Sequence, residues 1–177
     1  MFRSTRVTRA VAAVAVVLSL APLEARAQDA TLAAVRDNWK AMAANIAAAA
    51  DEVGEADYAF KPTASVRSFG ELIGHVAGTH NLICAAVLGD KVPAEDAIEK
   101  TAKTKAALVS AFKASVTYCE KAYALAPARF ADSIDMFGSK STKIGALMLN
   151  AVHDGEHYGN VVTYMRLKGM VPPSSKR

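Results

Sequence analysis

The chain has 177 residues, 52% of them apolar, with 21 Lys and Arg against 17 Asp and Glu. That is enough for one domain with a proper core once any leader is removed, and too little for two comfortable ones. The basic residues do not cluster on one face, which argues against a nucleic-acid surface despite the net charge of +4.

The N-terminus has the pattern of an export signal. Arg3, Arg6 and Arg9 precede an apolar run from Ala10 to Leu20, and Ala25-Arg26-Ala27 supplies a small-x-small cleavage pattern before Gln28. The apolar run is about half the roughly 20 residues that a membrane span needs, so cleavage is expected and no stable membrane anchor after it. Residues 1–27 are therefore read as a signal peptide and 28–177 as the working domain, periplasmic or secreted. Setting the leader aside removes Arg3, Arg6, Arg9 and Arg26 and one acid, Glu24, which leaves a net charge near +1.

The remainder reads as four helical stretches with no convincing strand. The first is expected over Thr31 to Ala50, with Leu32, Val35, Trp39, Met42 and Ile46 at core-facing spacing. The alanines after Ile46 favour helix but bury little, so this end is expected to fray. A connector from Glu52 to Arg67 follows. Ser68-Phe69-Gly70-Glu71 then fits a capping box opening a second helix, which runs to Leu88 and stops at Gly89. A third helix is expected from Ala94 to Leu125, its inner face built from Ile98, Ala102, Leu108, Phe112, Val116 and Tyr123. After a connector from Pro127 to Ser141, Ser141 or Thr142 caps a fourth helix that reaches about Lys168. This last helix is apolar nearly all round (Ile144, Leu147, Met148, Val152, Val161, Val162, Met165), which predicts burial. Four helices around one core make an all-α, four-helix-bundle reading. Cys84 and Cys119 fall in helices that could be neighbours, and the sequence leaves open a disulfide or two buried thiols.

The four histidines carry the chemistry. His153 and His157 are spaced i, i+4, so both imidazoles project from one helical face and can reach one ion. A third ligand must come from another element. His75, in register with Leu72 and Val76, is the natural choice, while His80 is expected towards solvent or a helix edge. Asp154 and Glu156 are turned off the His face by roughly 100° per residue and read as surface groups or supports behind the ligands. Glu71 could orient His75, and capping explains it equally well. Cys84, nine residues after His75, is too far along the helix for a direct pair, and no Gly-x-Ser-x-Gly elbow occurs.

Ser68-Phe69-Gly70-Glu71-Leu72-Ile73-Gly74-His75, His153-Asp154-Gly155-Glu156-His157-Tyr158-Gly159 and the tail from Tyr164 to Pro173 together make the chain resemble the DinB-like metalloenzyme superfamily. That resemblance implies a four-helix bundle, often a homodimer, with an open site formed by His75, His153 and His157. It also implies a thiol-type transferase as one activity; a divalent metal ion on three neutral histidines, zinc or nickel foremost, equally suits a metal-dependent hydrolase acting on a small molecule. The alternative is a non-catalytic metal-binding or stress-associated bundle. Three nitrogen ligands suit several divalent metals, and ligand type alone does not choose among them.

Overall fold

The computed structural model describes residues 30–176, so the expected signal peptide and its cleavage point lie outside the described residues. The chain divides into a short unit, Met1–Ala34, whose described residues 30–34 are helical, and a larger unit, Val35–Arg177. Everything that follows concerns the larger unit.

Helix α1 (35–52) buries Trp39, Ala43, Ile46, Ala49 and Ala50, which recur at the three- and four-residue spacing of one helical face. Its alanine-rich end is not frayed as expected. Ala49 and Ala50 are buried, Tyr58 donates its hydroxyl proton to the Ala50 carbonyl, and Lys105 Nζ donates to the Asp51 and Val53 carbonyls at 2.7 Å each. A helix end leaves four carbonyls without intrahelical partners, and these groups supply them from outside the helix.

Helix α2 (Phe69–Leu88) opens on the expected capping box: Ser68 Oγ accepts from Glu71 N–H at 3.2 Å, and Glu71 Oε2 accepts from Ser68 N–H at 2.7 Å. Lys61 pairs with the same carboxylate at 2.9 Å. The capping bonds, with Lys61, hold the Glu71 carboxyl well below the usual range, at about 2. The helix ends at Gly89, whose φ of 82° is the left-handed cap that glycine adopts without steric cost. Helix α2 is the central element, packed against the three helices described next.

The long third helix of the sequence reading is two helices, α3 (Ala97–Thr101) and α4 (Lys105–Tyr123). Ala102 is extended, and Thr104 restarts the helix by accepting from Ala107 N–H at 3.2 Å. Leu108, Phe112 and Tyr123 are buried as expected; Ile98, Ala102 and Val116 are half-buried, and Ser115 and Cys119 complete the inner face. Tyr123 stacks on Trp39 of α1, ring centroids 4.2 Å apart.

The second connector contains an unexpected hairpin. Strands β1 (Ser133–Met136) and β2 (Ser139–Thr142) pair antiparallel with Asp135 opposite Lys140. Phe137 and Gly138 make the two-residue turn, both at positive φ (50° and 78°), the combination that matches strand twist. Helix α5 (Lys143–Leu167) begins directly after, capped by Thr142 Oγ1 on Gly145 N–H. It is not buried all round: Met148, Leu149 and Val152 are exposed. The tail folds back, Ser174 N–H donating to the hydroxyl of buried Tyr158 at 2.9 Å. The described chain is thus mostly helical, with one short hairpin, and Cys84 of α2 and Cys119 of α4 are joined by a disulfide.

Candidate metal centre

Helices α2 and α5 lie side by side, and each turns histidine towards the other. His153 and His157 sit one turn apart on α5, His75 in the first half of α2. Their Nε2 atoms form a nearly equilateral triangle, with edges of 3.1 Å (His75–His153), 3.1 Å (His75–His157) and 3.0 Å (His153–His157). His75 and His157 are buried and His153 is half-buried. The three residues predicted as ligands are therefore brought together, each offering one nitrogen.

The triangle fits a metal ion. Two nitrogens each about 2.1 Å from one ion, at roughly 90–110°, lie about 3.0–3.4 Å apart. The donors are also in the right protonation state. Burial, with the charge of Arg67 and of His157, pushes His75 down to about 4. Burial and the neighbouring imidazoles push His153 down to about 3, and burial lowers His157. All three are neutral at neutral pH, as nitrogen ligands must be. Three neutral imidazoles pointing at one another also gain little from mutual hydrogen bonding, whereas a cation between them uses every lone pair.

Two of the three imidazoles have a polar group close to the far nitrogen. Glu95 Oε1 lies 3.5 Å from His75 Nδ1, and Asn160 lies 3.3 Å from His157 Nδ1. Turned end for end, the Asn160 amide presents the oxygen that an Nδ1–H needs. Asp154 Oδ1 is 4.0 Å from His153 Nδ1, beyond hydrogen-bond reach.

His80 is not at a helix edge. It is fully buried, with Nε2 2.9 Å from both carboxylate oxygens of Asp154 and Nδ1 3.1 Å from Ser115 Oγ, which itself donates to the Phe112 carbonyl. Asp154 is likewise fully buried, so the surface reading of it fails, while Glu156 is exposed as expected. The His80–Asp154 pair ties α2 to α5 deep in the core and takes no part in the imidazole triangle. Glu71 serves its cap.

A cleft of about 590 Å³ opens beside the triangle, and His157 forms part of its wall with Arg67, Glu99, Asn160 and Tyr164. Arg67 is held from two sides: its carbonyl accepts from Tyr164 Oη at 2.8 Å, and its Nε donates to both Glu99 oxygens at 3.2 Å. The sequence reading missed Arg67, Glu95 and Asn160. Arg67 ends the first connector, where no periodicity points to it, and Glu95 lies in the turn before α3, where the sequence pattern had a helix already begun at Ala94. Asn160 stands three residues after His157, the one spacing that could have suggested it.

Comparison with known proteins agrees with this architecture. The DinB superfamily family model matches residues 38–161. None of the curated proteins matches. Among solved structures, a DinB-like protein from Bacillus cereus ATCC 10987 superposes with a TM-score of 0.68 at 16% identity, over 78% of this chain and 93% of that one. A DinB-like protein from Bacillus subtilis gives 0.59 at 20% identity, over 81% and 98%. At such identities the likeness is one of fold.

Proposed function

The chain belongs to the DinB superfamily, and from that premise we propose that His75, His153 and His157 hold one divalent metal ion, zinc or nickel, and that the protein acts on a small molecule entering the cleft beside His157. The observation that carries this reading is the triangle of Nε2 atoms 3.0–3.1 Å apart. The reaction class is a metal-dependent hydrolysis or a thiol-type transfer. An ion held only by neutral ligands keeps its full charge and, as a Lewis acid, makes a water or a thiol ionise near neutral pH.

The chain's own residues do the rest. The Arg67 guanidinium pairs with Glu99 at the cleft, and Tyr164 anchors the Arg67 backbone carbonyl, so the cation stands where it can meet a polar group on the incoming molecule. The cleft favours this reading over an ion that only supports folding, because a structural site is closed by protein on all sides. Four long helices, α1, α2, α4 and α5, support a four-helix bundle as the scaffold. Export is supported by the leader pattern and by the Cys84–Cys119 disulfide, which persists in an oxidising compartment. Exposed Met148, Leu149 and Val152 on α5 support a homodimer.

The test is metal content per chain, measured on protein purified without chelator or affinity metal. About one ion in the parent and none in a folded His153→Ala/His157→Ala variant is the expected result. A parent that stays metal-free after reconstitution with zinc and with nickel overturns the reading.

A further inference from the structure

A nitrogen that binds a metal must present a lone pair, and a neutral imidazole carries its single proton on one nitrogen only. In His75 the nitrogen facing the other two imidazoles is Nε2. Its proton therefore belongs on Nδ1. That atom is buried and has no hydrogen-bond partner at ordinary distance; Glu95 Oε1 faces it at 3.5 Å. The same oxygen accepts from Thr79 Oγ1 at 3.4 Å, one turn along α2 from His75. Thr79 thus helps to aim the carboxylate.

The backbone shows why Glu95 can stand there. A Cβ on Gly78 would lie 1.8 Å from the Glu95 carbonyl oxygen, and one on Gly74 would lie 3.0 Å from Glu99 Cα. Two glycines one turn apart let the 95–99 segment rest directly on α2, closer than any other residue type allows. Glu95 itself stays half-exposed at the edge of this contact.

We propose that Glu95 is a positioning residue for the metal ligand His75: its carboxylate takes the hydrogen bond of Nδ1–H and so holds the Nε2 lone pair towards the site. The proposal rests on the metal reading above. A carboxylate behind a ligating imidazole fixes both tautomer and ring orientation, and its loss typically weakens metal binding 10–100-fold.

Two measurements test it. Long-range proton–nitrogen spectra of the metal-free protein read the tautomer directly; His75 is expected as Nδ1–H in the parent and shifted towards Nε2–H in Glu95→Ala. Zinc affinity, by competition with a chelator of known strength, is expected to fall about 10–100-fold in Glu95→Ala. It should fall less in Glu95→Gln, whose amide oxygen still accepts, with the thermal midpoint of the metal-free variants unchanged. An Nε2–H tautomer in the parent, or zinc affinity in Glu95→Ala within about threefold of the parent, far short of that loss, overturns the proposal. If the parent binds no zinc, the metal reading fails by itself, and the spectra still decide whether Glu95 sets the tautomer.

Discussion

At the scale of single residues, the three imidazoles make the site usable by being difficult to protonate. Burial holds His75 at about 4 and His153 at about 3, below the ordinary histidine value near 6.5. In the unfolded chain both return to that ordinary value, so below it the unfolded state binds more protons than the folded one. The metal-free protein should therefore hold its full stability above about pH 6.5 and lose it as the pH falls towards 4. Urea midpoints at pH 7.5, 6 and 5 check this, and a flat series would show that the imidazoles titrate normally. The sequence made the triad legible, because i, i+4 spacing puts His153 and His157 on one face whatever else surrounds them. It did not reveal the role of His80. A separation of five residues turns His80 about 140° from His75, but its partners, Ser115 and Asp154, come from two other helices.

At the scale of elements, local signals were reliable where one residue's chemistry decides an outcome. Ser68 with Glu71, Gly89 and Thr142 mark helix ends where expected. The α3–α4 break was missed although Thr104 is a good capping residue, because apolar residues on both sides kept a continuous helical period. The hairpin was missed because its turn is Phe137-Gly138 rather than Asn-Gly or Asp-Gly. An exposed Phe at φ 50° carries the steric cost that other L-residues meet there, roughly 1–2 kcal/mol. Phe137→Asn should therefore stabilise the protein by about 1 kcal/mol, since Asn tolerates this conformation. A rise in the urea midpoint with unchanged slope is the expected observation, and a fall would mean that the ring makes a contact worth more than the strain.

At the scale of the whole molecule, the Cys84–Cys119 disulfide ties α2, which carries His75, to α4 across a sequence separation of 35 residues. Closing a loop of that length limits the unfolded chain by about 4 kcal/mol on the chain-entropy account. Reduction, or a Cys84→Ala/Cys119→Ala variant, should lower stability by a few kcal/mol while leaving the His75–His153–His157 cluster in place, measured by urea denaturation beside metal titration. Equal midpoints with and without reductant would show the bond to be incidental to stability.

The sequence by itself determined that the chain is mostly helical, where three of the long helices begin and end, and which three histidines could share an ion. Those properties depend on periodicity and on caps, which act over a few neighbouring residues. Only the tertiary structure decided that Cys84 meets Cys119, that His80 is sealed against Asp154, and that Met148, Leu149 and Val152 of an apolar helix stay outside. It also brought Glu95 onto Gly78 and behind His75. Each of these is a meeting of segments far apart in the chain, or the lack of one, and short-range pattern carries no term for such distances.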